Sequence, residues 1–541
     1  MLVIPLIFAV VNLFAAQPVR EQHVMVPMRD GAKLSMYLYF PAGEGPWPVL
    51  YEQRYVDIRT PGARQSYAKL AAGGYVVAAQ NFRGAYLSEG VFNGYRALGW
   101  GELRDGYDTV EWLAKQPWST GKIGSFGGSQ GGYAQNFLAV TQPPHLVAQY
   151  MRDTGLSLFH EGYRIGGSTR PQRFGDFVKY ARNPEDGRKW LQAIFQHPAY
   201  DAYWEQEDCT RHFAEMNVPA FTVGSWYDFM SVGSIESYVG RQHRGGPNSR
   251  GKQHLLIGPW LHGLDSKDQT HIGDLDFPGN STFNMDSHMI RWFDHYLKGI
   301  DNKVDREPAV RYYVLGAPGE ADSEGNVWRN ADDWPVAATP TPYYLSNGST
   351  LVETRSGTAG STTFASDPAQ PAPIPGLAFP GAKDARAYEQ HPEVRTFTTK
   401  VLSRPVEWTG KVSTEIFVSS TAKDTDFIVR LTDVYPDGRS ILIVDSIRRA
   451  RFREGFDREV LMDANKVYKI AFDLGSMSQI FNKGHRIRVT VAGTGAPFYE
   501  PNPNTGGPMR LDRELKPVTA KNTVWWSSRY PSRVIAPVRA R

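Results

Sequence analysis

Cysteine is almost missing from this sequence: among 541 residues, Cys209 stands alone. A lone thiol excludes an internal disulfide and any cysteine-built metal cluster. The 13 histidines offer no pair at ligand spacing with a matching carboxylate, so no metal is assigned. Charge of one sign is scarce too. The formal net charge is only +4, and there is no concentrated basic run. Arg449, Arg451 and Arg453 alternate in an expected strand, which would put all three on one solvated face. Nucleic-acid binding therefore has little support. Long hydrophobic runs are absent beyond the N-terminus, which argues against stable membrane insertion. Residues 1–16 are apolar and uncharged but short for a span. Their length and Ala15-Ala16 ending fit an export leader, hence a periplasmic or secreted protein. The missing basic start keeps open a mis-assigned start or a buried strand, and with them a cytoplasmic protein. No internal repeat is present.

Aromatic residues are plentiful, with 14 Trp and 27 Tyr, on a chain too long for one core, so two or three domains are expected. One stretch organises the rest. Residues 122–126 suit a buried strand, Gly127-Gly128-Ser129-Gln130-Gly131 follows at once, and residues 133–140 read as a helix. Strand, G-x-S-x-G, helix is the order of a nucleophile elbow. The chemistry explains the glycines. The serine must stand on a strained turn clear of the sheet, and a Cβ at Gly127 or Gly131 would meet a neighbouring strand or helix. The turn also aims backbone N–H groups at the place where an oxyanion forms.

Around the elbow the chain alternates strands and helices. Residues 23–40 read as a hairpin, 47–53 and 75–80 as strands, and 67–72 as a helix. A further helix is expected over 102–115, with Leu103, Tyr107, Val110 and Leu113 at helical spacing. Such alternation implies a mainly parallel sheet covered on both faces. The hydrolase-like core is expected over 20–141 and 218–305. Residues 142–217, rich in Arg, Tyr, Trp and His without a clear buried strand, read as an inserted helical cap. Beyond about 308 the chain breaks into short alternating segments separated by turns such as Pro436-Asp437-Gly438, so 308–541 reads as a jelly-roll β-sandwich. Residues 354–380, rich in Pro, Ser, Thr, Ala and Gly, are expected to form a long surface loop.

A serine hydroxyl needs a base to take its proton, and the base needs a carboxylate to orient it. In an α/β-hydrolase these follow in the order Ser, Asp or Glu, His, on loops after strands. The strand at 220–223 runs into Gly224-Ser-Trp-Tyr-Asp228, and the next, at 255–257, into Gly258-Pro-Trp-Leu-His262. Asp228 and His262 therefore join Ser129 as the candidate triad. His271 and His288 are the nearest competitors for the base, and neither follows a strand. One oxyanion donor is the N–H of Gln130. The second usually comes from a loop after an early strand, where Tyr55 is a candidate that spacing alone does not decide. This chemistry requires no cofactor.

Together Gly-Gly-Ser129-Gln-Gly-Gly, Gly-Ser-Trp-Tyr-Asp228 and Gly-Pro-Trp-Leu-His262-Gly resemble the cocaine-esterase-like (CocE/NonD) hydrolases. That group is related to X-Pro dipeptidyl peptidases and α-amino-acid ester hydrolases. The stretch from Asp105 to Trp118, Asn81-Phe-Arg-Gly84, Asp433-Val-Tyr-Pro-Asp-Gly438 and Asn502-Pro-Asn-Thr505 extend the likeness over nearly the whole chain. The resemblance implies an α/β-hydrolase core, a cap inserted between Ser129 and Asp228, and a C-terminal jelly roll. It also implies that Tyr55 is the oxyanion tyrosine. Trp226, Phe229, Trp260 and Tyr133 are candidate pocket walls, with plain core packing equally open. Phe229, Met230 and Ser231 follow Asp228, leaving no acid there for a substrate ammonium. A small-molecule carboxylic ester or related amide is the expected substrate. X-Pro peptidase, α-amino-acid ester hydrolase or β-lactam acylase activity is one alternative; a non-catalytic carbohydrate-binding protein is another.

Overall fold

The computed structural model describes residues 19–540 apart from 171–176, 264, 356, 377–380 and 512–513; the expected leader at 1–16 lies outside them. A ten-stranded sheet forms the first layer. Its strands are β1 (Arg20–Pro27), β2 (Lys33–Phe40), β3 (Trp47–Arg54), β4 (Val76–Asn81), β5 (Ser119–Gly128), β6 (Leu146–Arg152), β7 (Ala220–Ser225), β8 (Gln253–Gly258), β9 (Val310–Val314) and β10 (Val327–Ala331). They lie side by side as β1-β2-β4-β3-β5-β6-β7-β8-β9-β10. Neighbours from β4 through β9 pair parallel, while β1 and β2 at one edge and β10 at the other run antiparallel. Every residue of β4, β7 and β8 is buried, as expected of strands covered on both faces.

Helices supply that cover. They include α1 (Pro61–Ala71), α2 (Asp105–Ala114), α3 (Gln130–Val140), α4 (Pro184–Gln196), α5 (Ser231–Arg244) and α6 (Met285–Lys298). Helix α6 shows how sequence sets both face and ends. Met285, Met289, Trp292, Phe293 and Leu297 recur at helical spacing and are buried. The Asn284 side chain caps the first turn, and Gly299, at φ 73, ends the helix in the left-handed region.

Four expectations fail in informative ways. Residues 142–217 do contain a buried strand, β6, in the centre of the sheet. Gln149 interrupts its apolar run, and that glutamine is fully buried because Ser125, the Gln135 carbonyl and Arg241 share hydrogen bonds with it. The helical insertion therefore starts after β6. Second, β9 belongs to the first sheet, paired in parallel with β8, although it lies within the stretch assigned to the sandwich. Third, Gly360–Ser366 within the expected loop is a strand. Its small polar residues find regularity by pairing with Ala520–Trp526. Fourth, the arginine row is not solvated. The strand stops at Arg449 and Ala450–Phe452 turns as a 3₁₀ helix, so the alternation is broken. Arg449 is bound by Asp426, and Arg451 by Asp424 and Glu459.

Apart from two short two-stranded hairpins, the remaining strands form an eleven-stranded sheet that closes as a β-sandwich. Strands Val406–Ser420, Asp426–Val434, Tyr468–Phe481 and Arg486–Ala492 dominate it, and Trp408, Phe427, Ile470 and Val489 meet in its core. It docks at the end of β9, the last parallel strand of the first sheet. Backbone bonds join Leu315 N to Ser478 O (2.8 Å) and Ile480 N to Leu315 O (2.9 Å). Tyr435, Ile441 and Ile480 of the sandwich share a core cluster with Trp226 and Tyr238 of the hydrolase layer. No helix among the described residues is long and apolar enough to cross a membrane.

The buried Asp426–Arg449 pair, which also receives the Asn502 amide, yields a first prediction. Asp426→Ala takes a buried carboxylate away from the Arg449 guanidinium and should lower unfolding free energy by about 3–5 kcal/mol, measured by denaturant titration.

Candidate active site

Ser129 stands between the end of β5 and the start of α3, with φ 56 and ψ −115. A non-glycine residue held there costs about 1–3 kcal/mol, which the surroundings must repay. They do so through the backbone. Ser129 N donates to Arg152 O (3.0 Å), and Ser129 O accepts from Gly132 N and Tyr133 N. The flanking glycines answer to one residue that the sequence does not advertise. Gly127 has φ +132, and a Cβ on it would lie 2.7 Å from Glu52 Oε1. One on Gly131 would lie 3.2 Å from the same atom. Glu52, buried on β3, is fixed in turn by the Tyr67 hydroxyl at 2.5 Å.

Gln130 opens α3, where its N–H has no partner within the helix. Its side chain has a second role that the motif does not reveal. Gln130 Oε1 accepts from Tyr55 N (2.9 Å) and Val56 N (3.1 Å), tying the elbow to the turn after β3. Asn81 Nδ2 holds that turn from the other side through the carbonyls of Arg54 and Val56. The Tyr55 ring is buried against Phe82, Tyr95 and Tyr180. The two residues expected at the oxyanion are thus joined directly.

Asp228 and His262 come together as expected. Trp226 N donates to Gly258 O and Tyr227 N to Trp260 O, so the turns after β7 and β8 are laced side by side. His262 Nδ1 lies 3.1 Å from each Asp228 carboxylate oxygen, and Met230 N donates to Oδ1. The Asp228 side chain is wholly buried, that of His262 nearly so. Burial pushes the Asp228 carboxyl up, but His262 and Lys267 outweigh it and hold the group below its ordinary value. Burial pulls the His262 imidazole down, yet Asp228 and then Asp153 raise it above 6.5 overall. Phe229 stacks on the imidazole with centroids 5.0 Å apart. Ser129, two strands from Asp228 and three from His262 in sheet order, is at the same strand ends. Among the described residues no hydrogen bond joins its hydroxyl to the imidazole, a separation common before substrate binds.

Of the proposed pocket walls, only Phe229 stands beside the imidazole. Trp260 is entirely buried, donates Nε1–H to Ser281 O (2.8 Å) and packs on Phe283 and Trp328. Tyr133 is entirely buried next to Tyr95. Both are core: Tyr133, on α3, packs in the cluster that holds Tyr95 and Leu158, and Trp260, after β8, in the cluster that holds Met289 and Phe293. Trp226 is held by the Tyr313 carbonyl and borders, with Phe229 and Asp228, a cavity of about 470 Å³ between the helical insertion, α5 and the sandwich. Neither Ser129 nor His262 lines it.

Two more residues were not legible beforehand. Asp153, directly after β6, binds Lys267, and its carboxylate lies with those of Asp228 and the His262 ring so that ligand atoms fall within 4.8 Å. Lys267 Nζ supplies the cation at this cluster. With β6 unrecognised, nothing marked Asp153 as a strand-end residue.

Comparison with known proteins identifies the family and the fold. Residues 30–185 and 176–264 match the X-Pro dipeptidyl-peptidase (S15) family, and residues 302–535 match the X-Pro dipeptidyl-peptidase C-terminal non-catalytic domain. The chain is 30% identical to the cocaine esterase of Rhodococcus sp. (strain MB1 Bresler), over 96% of its own length and 98% of the relative's. The chain belongs to the cocaine-esterase-like (CocE/NonD) serine hydrolases. Within that wider group, a solved α-amino-acid ester hydrolase superposes with a TM-score of 0.86 at 25% identity, covering 99% of this chain and 98% of the other. An aminopeptidase from a marine sediment Thaumarchaeota archaeon shares the fold, with a TM-score of 0.85 at 24% identity and 99% coverage of both chains. The CocE/NonD architecture, an α/β-hydrolase with a C-terminal β-sandwich, is the one seen here.

An NMR titration of the His262 ring should give a midpoint above 6.5, and Asp228→Asn, which removes its chief anionic neighbour, should move that midpoint down.

Proposed function

We propose that the protein hydrolyses carboxylic esters of neutral, apolar acids through an acyl-enzyme. His262 Nε2 takes the Ser129 proton as Oγ attacks the carbonyl carbon. Asp228, bonded to Nδ1–H, fixes the tautomer and stabilises the imidazolium. The Gln130 N–H and the Tyr55 hydroxyl donate to the tetrahedral oxyanion. The imidazolium protonates the departing alcohol, the C–O bond breaks, and water delivered by the same base then releases the acid. The observation that carries this reading is the buried Asp228–His262 pair at the strand ends where Ser129 occupies a strained elbow.

The residues after Asp228 support a neutral acyl group. Phe229 stacks on the His262 ring, and neither it nor Met230 or Ser231 offers an acid for the substrate ammonium that an α-amino-acyl or X-Pro substrate would bring. The leader-like composition of residues 1–16 supports export.

Ser129→Ala should reduce turnover by about 10⁴-fold or more without loss of fold, and should abolish labelling by a fluorophosphonate probe. Tyr55→Phe should cost roughly 10²- to 10³-fold; wild-type activity in that variant would remove Tyr55 from the oxyanion site. Gln130→Ala keeps the N–H but releases the Tyr55 turn, so kcat should fall by about ten-fold, comparable to other lost positioning contacts. Across a panel, p-nitrophenyl esters of short and aromatic acids should outpace X-Pro and α-amino-acyl amides; the reverse order would assign the site to peptide or amide substrates.

A further inference from the structure

The residues on either side of His262 are both gripped by one buried ion pair. Asp153 Oδ2 accepts from Gly263 N (3.0 Å) and from Lys267 Nζ (2.7 Å). Lys267 Nζ also donates to Leu261 O (2.9 Å) and Ser225 Oγ (2.9 Å). Ser225 Oγ closes the ring by donating to Asp153 Oδ1 (2.8 Å). All three ammonium hydrogens and both carboxylate oxygens are used. Asp153 and Lys267 are 2% and 1% exposed, and Asp153 is held at φ 43, a backbone region that a non-glycine residue seldom occupies.

Burying such a pair contributes little stability, since desolvation offsets the attraction, and apolar replacements are often neutral. Its value here is geometric and electrostatic. The network pins the ends of β6 and β7 to the backbone before and after His262, so the main chain that carries the imidazole cannot shift without breaking it. Charge matters equally. Among the described residues, the groups facing the ring are Asp228 after β7, Asp153 after β6 and Lys267 on the ring's own loop, with Arg170 behind Phe229. Asp153 favours the imidazolium and Lys267 opposes it.

We propose that the Asp153–Lys267 pair is the positioning device of the His262 loop, holding the imidazole between Ser129 and Asp228 while cancelling its own field at the ring. Neither residue touches substrate; both act through His262, and the proposal rests on His262 serving as the base.

Ester turnover by the full chain, followed against pH, tests it. Lys267→Met leaves Asp153 uncompensated, so the acid limb of kcat/KM should move to higher pH. Asp153→Asn leaves the ammonium, so the limb should move to lower pH. The double variant removes both charges. Its limb should return to the wild-type position, while kcat stays about 10- to 100-fold low because the loop is no longer gripped. Limbs that stay put in the single variants, or shift in the same direction, would overturn the proposal, since a merely structural pair lowers yield and melting temperature without opposite shifts. If the single variants fail to fold, the neutral double variant decides: wild-type kcat there overturns the proposal. An error in the role of His262 would look different. His262→Gln would then keep wild-type turnover, and the wild-type limb would not follow the NMR titration of His262.

Discussion

A carboxylate deprived of water must be repaid by its neighbours, and Asp228 makes that demand on the whole active layer. Its side chain has no exposed surface. The repayment comes from the His262 imidazole, from the Met230 N–H and, at longer range, from Lys267. In the low dielectric of the interior these interactions are stronger than in water, and so is the penalty for losing any of them. The turn after β7 must therefore lie where the turn after β8 can reach it. The backbone bonds from Trp226 to Gly258 and from Tyr227 to Trp260 accomplish this.

The serine side of the site obeys a steric demand instead. Glu52 lies under the elbow and leaves room only for hydrogen at Gly127. Gln130 then couples the elbow to the Tyr55 turn through its amide oxygen. Two local constraints, one of charge and one of volume, thus bring five side chains from four separated stretches to the same strand ends.

The elbow, Asp228 and His262 were legible in the sequence because each follows an apolar run at a strand end, and strand ends in such sheets face the ligand. Several buried residues were illegible for one reason. Polar residues buried with exact partners look like surface residues in a linear reading. Gln149 hid β6, and with it Asp153; Asp424 and Asp426 hid the burial of Arg449 and Arg451. Glu52 and Lys267 carry no local pattern at all, since their partners come from distant segments. For Trp260 and Tyr133 the structure shows core packing, the reading left equally open by the sequence: an aromatic next to a candidate site residue points away from it as readily as toward it.

The bridge between Leu315 and Gln479 gives the second layer a meaning beyond decoration. It carries the main-chain bonding of the last parallel strand onward into the sandwich, so the two layers share a seam of backbone as well as side chains. Cutting the chain after β10 would strip that seam and bare Trp226, Tyr238 and their neighbours to water. The C-terminal part is in this sense a graft rather than an appendage: the stock to which it is joined cannot be left without it.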